Sequence, residues 1–231
     1  MKAILTTLII CVLSLNLNAQ NLKSFKSDGN LFGFKDKKGS IIIAPKYKQV
    51  QEFSEGLAAV ALADSDEWGE TFRWGFIDES GKEILPIKYK FANNFREGLA
   101  LVSLQGKFGF VNKAGKMIIP EKYDQAVDFI NGLAMVSLND KYGFINKNGD
   151  EIIPIKYDAV SEFSEGLAAV KMIEKNVFPY KTRWGYINTS GEIVIPLKEY
   201  DYILSFDKGK AEVKLNGKVF IIDKLGNEIK N

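Results

Sequence analysis

The fold is decided by a 34-residue unit in the middle of the chain, which recurs along its length. Residues 99–132 read LALVSLQGKFGFVNKAGKMIIPEKYDQAVDFING. An apolar, β-prone run at Leu99–Leu104 is followed by a turn at 105–107 and a second apolar run at Phe108–Val111. Short apolar runs separated by turn residues are typical of antiparallel β-structure.

The second half of the unit continues this pattern. Asn112–Gly115 predicts a tight turn, because Asn can bond its own backbone and Gly can adopt a positive φ. A third strand follows at Met117–Ile119. We expect Pro120 to end it, because proline cannot donate a hydrogen bond to a neighbouring strand. Tyr123–Phe129 then forms a short, irregular fourth strand of the same unit.

The unit recurs with a nearly constant spacing. Its aromatic–glycine pair occurs at Phe32-Gly33, Trp74-Gly75, Phe108-Gly109, Tyr142-Gly143 and Trp184-Gly185, with a degenerate sixth copy at Val219-Phe220. The five glycines are 42, 34, 34 and 42 residues apart. An Asp/Asn-x-x-Gly turn, a proline, a tyrosine and a Phe-x-x-Gly sequence keep the same spacing. This repetition predicts one array over residues 20–231, with units that start near residues 22, 57, 99, 133, 167 and 210.

The fold class predicted from these units is all-β, in tandem β-meander repeats of about 34 residues. No window has a sustained helical apolar period. Two architectures remain open. Four short strands per unit suit a propeller-like arrangement of about six units, which we favour. An open β-solenoid of stacked hairpins is the alternative, because the irregular strand occurs only five times and would leave one unit incomplete.

Residues 1–19 have the pattern of a secretory signal peptide. Lys2 supplies the positive start, Ala3–Leu17 is mostly apolar, and Ala19 is a small residue suited to cleavage. We expect export to the periplasm, the cell surface or the extracellular medium, with Gln20 as the new N-terminus. An uncleaved anchor and a buried strand are the alternatives.

Composition excludes much of the usual catalytic chemistry. The chain has no histidine, and its one cysteine, Cys11, lies in the predicted signal peptide. We therefore expect no catalytic residues, no metal, no cofactor and no enzymatic activity. The least favoured alternative is a carboxylate-dependent hydrolase, for which Glu55, Glu97 and Glu165 are the candidate acids. The Asp/Asn-x-x-Gly segments supply too few carboxylates for calcium loops, so we interpret them as turns.

Charge and hydropathy also limit the partners. Without Lys2, 30 basic residues nearly balance 29 acidic ones, and they form no basic block. This balance argues against a nucleic-acid partner. The mature chain has no apolar segment long enough to be an integral membrane span.

Two units are longer than the others by about eight residues, inserted just before Trp74 and Trp184. Insertions in repeat proteins often form loops on a binding face. Aromatic side chains and arginine suit contacts with protein, peptide or glycan. The candidate contact residues are Trp68, Phe72, Arg73, Phe178, Tyr180 and Arg183. A hairpin that only protrudes or packs on itself is the alternative.

The recurring residues resemble a known family. Trp74–Pro86, Lys141–Tyr157 and Trp184–Pro196 are similar to the motif of the bacterial WG-repeat family, also called KWG repeats. The resemblance covers about residues 22–231, although four of six units replace the first Trp. It implies an all-β repeat protein and brings no catalytic residues. We expect an exported, non-catalytic binding scaffold. A purely structural envelope repeat protein is the alternative.

Overall fold

The computed structural model describes residues 22–66 and 69–230, and this part of the chain contains strands and no helix. The predicted signal peptide and Trp68 lie outside the described residues. The strands form six small antiparallel sheets, one after another along the chain. The prediction of an all-β tandem repeat is therefore confirmed.

The six sheets, numbered 1 to 6, contain all 22 strands of the described residues. In chain order these are β1 (Lys23–Lys26), β2 (Phe32–Lys35) and β3 (Ile41–Tyr47) in sheet 1; β4 (Gln49–Val50), β5 (Leu57–Asp66), β6 (Gly69–Asp78) and β7 (Glu83–Tyr89) in sheet 2; β8 (Phe91–Ala92), β9 (Leu99–Ser103), β10 (Phe108–Asn112) and β11 (Met117–Tyr123) in sheet 3; β12 (Gln125–Ala126), β13 (Leu133–Leu138), β14 (Lys141–Asn146) and β15 (Glu151–Tyr157) in sheet 4; β16 (Ala159–Val160), β17 (Leu167–Glu174), β18 (Lys181–Asn188) and β19 (Ile193–Lys198) in sheet 5; and β20 (Tyr202–Ile203), β21 (Lys210–Leu215) and β22 (Lys218–Asp223) in sheet 6.

The short strand of each unit joins a different sheet from the one expected. β12 pairs with β13, the strand that follows it, rather than with β11. Its position is set by backbone hydrogen bonds such as that from Asp124 N to Ser137 O, 2.9 Å long. Sheets 2 to 5 therefore begin with a two-residue strand and have four strands, whereas sheets 1 and 6 have three.

The prediction that Pro120 ends its strand is wrong, because β11 continues through it to Tyr123. The register shows why: Phe108 faces Tyr123 while Phe110 faces Ile119, so β11 has two extra residues at this point. This bulge frees Pro120 from donating to β10.

The turn between the aromatic–glycine strand and the proline strand has the predicted geometry. Asn112 Oδ1 accepts hydrogen bonds from the backbone N–H groups of Ala114 at 3.1 Å and Lys116 at 2.9 Å. Gly115 adopts a φ of 77°. The same pair of bonds recurs at Asp36, Asp78, Asn146, Asn188 and Asp223. The side-chain oxygen at this position is thus used to build the turn.

The apolar core lies between consecutive sheets. Five clusters of buried side chains each join one sheet to the next, from sheets 1 and 2 to sheets 5 and 6. An aromatic pair recurs in each cluster; between sheets 3 and 4 it is Phe110 and Phe129, with ring centroids 4.8 Å apart. The phenylalanine of the Phe-x-x-Gly sequence is therefore a packing residue between units.

Candidate functional site

The two insertions extend hairpins outward from sheets 2 and 5. In sheet 3 the equivalent hairpin ends at the pair Ser103 and Phe108. The β5–β6 hairpin remains paired as far as Asp66 and Gly69, and the β17–β18 hairpin as far as Glu174 and Lys181. We call these two elements the long hairpins. They belong to sheets separated along the chain by sheets 3 and 4.

In the first long hairpin, Phe72 and Arg73 lie together in β6, next to Trp74 at the base of the extension, and all three are partly buried. Arg73 Nε pairs with Asp64 Oδ2 across the hairpin at 2.7 Å. Phe72, Arg73 and Trp74 line a pocket of about 290 Å³. Arg73 therefore braces the hairpin.

In the second long hairpin, the aromatic residues are at the tip and face solvent. Phe178 is 94% exposed and Tyr180 is 62% exposed. Their ring centroids lie 6.3 Å apart in an edge-to-face arrangement. Arg183 lies in β18 and pairs with Glu174 at 3.0 Å. The structure therefore brings Phe178 and Tyr180 together as an accessible aromatic pair, with Arg183 supporting the strands below.

The glutamates considered as catalytic acids link consecutive sheets. Glu97 accepts a hydrogen bond from Gly132 N at 3.1 Å and pairs with Lys147 at 2.9 Å, so one carboxylate connects sheets 3 and 4. We call this arrangement the Glu–Lys link. It recurs between sheets 2 and 3 at Glu55 with Gly98 and Lys113, and between sheets 5 and 6 at Glu165 with Gly209 and Lys224.

The electrostatics of the Glu–Lys link do not favour acid catalysis. The hydrogen bond from Lys147 holds the pKa of Glu97 below its ordinary value, and Lys224 does the same to the pKa of Glu165. A general acid at neutral pH needs a raised pKa. These carboxylates are therefore better suited to a structural role.

A cleft between sheets 4 and 5 was missed by the sequence reasoning. It has a volume of about 250 Å³ and opens where the Glu–Lys link is missing. Asn131 occupies the position of the glutamate, and Thr189 the position of the lysine. The available sequence signal was the break in the repeat at these two positions, but residues this far apart are recognised as neighbours only in the folded chain.

The cleft is lined by apolar and acidic side chains. Leu133, Met135, Phe144 and Phe163 form its apolar wall, while Asp128 and Glu162 are among the acidic residues lining it. Burial raises the pKa of Asp128, although the amide of Asn93 and the charge of Arg96 act in the opposite direction.

The described residues include no cluster of three or more His, Cys, Asp or Glu side chains that could hold a metal ion. The same part of the chain contains no helix that is long and apolar enough to cross a membrane.

Comparisons with known proteins agree with this architecture. The family model described as "WG containing repeat" matches residues 32–63, 74–108, 108–142, 142–175 and 184–218. No curated protein matches the chain. A solved structure described as "Crystal structure of the eukaryotic initiation factor" is similar in fold, with a TM-score of 0.51 and 11% identity over 91% of this chain. This chain spans 62% of the length of that one. The five tandem matches cover most of the sequence and confirm the predicted family, so this chain belongs to the WG-repeat family.

Proposed function

We propose that this protein is an exported, non-catalytic scaffold that binds a protein, peptide or glycan through its long hairpins. The observation that carries the proposal is the exposed pair of Phe178 and Tyr180 at the tip of the β17–β18 hairpin. Contiguous exposed apolar side chains often mark interaction sites, and aromatic residues are common among those that dominate binding energy.

The hairpin presents this pair on a supported element. Eight consecutive residue pairs connect β17 and β18, and the Arg183–Glu174 and Lys181–Glu199 ion pairs lie near the tip. A preformed hairpin loses less conformational entropy on binding than a flexible loop. The β5–β6 hairpin contributes Phe72 and Arg73 in the same proposal, with Trp68 as its outermost aromatic residue in sequence.

Two other functions remain as alternatives. A purely structural envelope protein would use the same array without a ligand at the hairpins. A carboxylate-dependent hydrolase would require two carboxyl groups about 5–9.5 Å apart in a cleft. The Glu–Lys link ties up Glu97 and Glu165 with lysines, so the binding scaffold is the better supported function.

The test is binding by variants of the hairpin tips. We expect Phe178→Ala/Tyr180→Ala to weaken binding about tenfold or more in a glycan array or in a pull-down from the envelope fraction, because aromatic anchors often contribute over 1 kcal/mol each. Trp68→Ala tests the other hairpin in the same assays.

The matched control is Leu225→Ala, which removes an apolar side chain that is 75% exposed in a turn of sheet 6. It should bind like the unaltered protein. Binding that survives replacement of Trp68, Phe178 and Tyr180, or no binding in either assay, would favour the structural alternative.

A further inference from the structure

The interface between sheets 4 and 5 differs from two of the others at a third position, in addition to Asn131 and Thr189; between sheets 3 and 4 this position is Arg96. Between sheets 2 and 3, Ser54 Oγ donates to Phe95 O at 2.8 Å, and between sheets 5 and 6, Ser164 Oγ donates to Phe206 O at 2.7 Å. Ile130 occupies this serine position between sheets 4 and 5 and is exposed. The interface has thus exchanged polar linking side chains for shorter or apolar ones.

This exchange leaves apolar surface accessible inside the cleft. Phe163 is partly exposed there, like Phe53 between sheets 1 and 2, whereas the equivalent Phe95, Phe129 and Phe206 are buried. Met135 is also partly exposed, while its counterpart Leu101 is buried. When another apolar group covers a concave apolar surface, water is excluded from both and the free energy falls.

The charged side chains that line the cleft are all acidic, although Lys224 and Arg96 act on two of them from outside the lining. Its acidic lining residues are Asp128, Glu162 and Glu165, and no lysine or arginine lines it within the described ranges. Glu165 is neutralised by Lys224, and Asp128 accepts a hydrogen bond from the Asn93 amide at 3.1 Å. The exposed Glu162 carboxylate makes no ion pair or hydrogen bond with the described residues, so it is available to a cation.

We propose that this cleft binds an extended peptide segment that carries an aromatic or branched apolar side chain next to a lysine or arginine. A volume of about 250 Å³ suits one large side chain, since sites for whole drug-sized ligands begin at about 300 Å³. The apolar residue enters between Met135 and Phe163, and the neighbouring cation faces Glu162. Complementary charge selects the peptide, and the apolar side chain supplies most of the affinity.

Three fluorescein-labelled pentapeptides test both parts of the proposal: Gly-Lys-Phe-Lys-Gly, Gly-Glu-Phe-Glu-Gly and Gly-Lys-Ala-Lys-Gly. Fluorescence anisotropy with the full mature chain measures their binding at low salt. We expect the lysine–phenylalanine peptide to bind at least about fivefold more tightly than either of the others, because each lacks one of the two recognised features.

The chain itself offers a variant that should close the cleft. Asn131→Glu/Thr189→Lys rebuilds the Glu–Lys link found at three other interfaces, so it suits the fold. The lysine stem would cover the apolar wall, and its ammonium would repel the peptide lysines. We expect about a tenfold or greater loss of affinity for Gly-Lys-Phe-Lys-Gly. Circular dichroism checks that the variant is folded.

A milder variant tests the charge alone. Glu162→Gln should weaken the binding of Gly-Lys-Phe-Lys-Gly about two- to fivefold, as expected when an exposed ion pair is lost. It should not weaken the binding of Gly-Glu-Phe-Glu-Gly. Asp28→Asn removes an exposed carboxylate from the β1–β2 turn and should change neither affinity.

Equal binding of the phenylalanine and alanine peptides, or undiminished binding by the folded double variant, would overturn the proposal. Sedimentation would also overturn the proposal if the unaltered protein formed a dimer and the folded double variant did not. The occupant of the cleft would then be a second copy of the chain. Peptide binding should be unchanged in Phe178→Ala/Tyr180→Ala, which separates this site from the proposed function of the hairpins.

Discussion

At the residue scale, the glycine of the aromatic–glycine pair is required by a backbone contact across the sheet. A Cβ atom at Gly109 would lie 2.5 Å from the carbonyl oxygen of Ile119 and 2.7 Å from the amide nitrogen of Glu121. Gly33, Gly143 and Gly185 face the proline strands of their own sheets in the same way. The bulge that accommodates Pro120 and the glycine opposite it are therefore two parts of one feature.

We expect Gly109→Ala to lower the free energy of unfolding by about 3 kcal/mol, because the added methyl group meets backbone atoms that cannot rotate away. The measurement is urea denaturation followed by tryptophan fluorescence. Gly106→Ala is the matched control: Gly106 has a φ of 88° but nothing within 4 Å of its Cβ position. Gly106→Ala should lower the free energy of unfolding by about 1 kcal/mol, because it adds backbone strain and no close contact. Equal losses in the two variants would contradict the role given to the close contact.

At the scale of the element, the second long hairpin is tied to its sheet by a carboxylate. Asp158 Oδ2 accepts a hydrogen bond from Ile173 N at 2.8 Å, and Asp158 Oδ1 pairs with Lys141 of sheet 4 at 2.6 Å. Burial alone would raise the pKa of Asp158, but the bonds from Lys141 and Ile173 outweigh it and hold that pKa below its ordinary value of 3.8. The charged form of Asp158 therefore stabilises both the hairpin and the contact between sheets 4 and 5.

We expect Asp158→Asn to be less stable than the unaltered protein by about 1 kcal/mol at pH 7, because a charge-assisted bond is lost. The pKa of Asp158 is lower in the folded than in the unfolded state, so this contribution is complete above the ordinary value of 3.8 and is lost as the pH falls through the folded pKa. Urea denaturation from pH 7 to pH 2.5 should show the difference shrinking below about pH 4. Asp140→Asn, at an exposed turn position of sheet 4, is the control and should show no such difference. A difference that persists unchanged at pH 2.5 would contradict the assignment.

At the scale of the whole molecule, the array is built from contacts between neighbours. Each apolar cluster joins consecutive sheets, so successive interfaces can vary without altering the rest of the array. The interface between sheets 4 and 5 uses this freedom, because the Glu–Lys links on either side of it remain in place. A repeat architecture thus allows one interface to become a cleft while its neighbours keep the fold.

Export is a prediction that also belongs to the scale of the whole chain. We expect the mature protein to begin at Gln20, because Ala19 is a small residue at the end of an apolar segment. Intact-mass analysis after fractionation of source cells checks this prediction. Ala19→Arg places a bulky charge at the cleavage site and should leave the leader attached. An unaltered protein that retains residues 1–19 would contradict a cleaved signal peptide and favour the anchor alternative.

The sequence by itself determined the repeat, its strands and its turns, because these depend on residues close together in the chain. Asn112 and Gly115 build their turn from bonds within five residues, and the spacing of the glycines identifies the units. The tertiary structure decided which sheet β12 joins, how Pro120 fits within β11, and where a cleft opens. These features depend on pairs such as Gly109 with Ile119 across a sheet and Asn131 with Thr189 between sheets. Such residues are brought together by packing of the chain, so their effect on one another exists only in the folded protein.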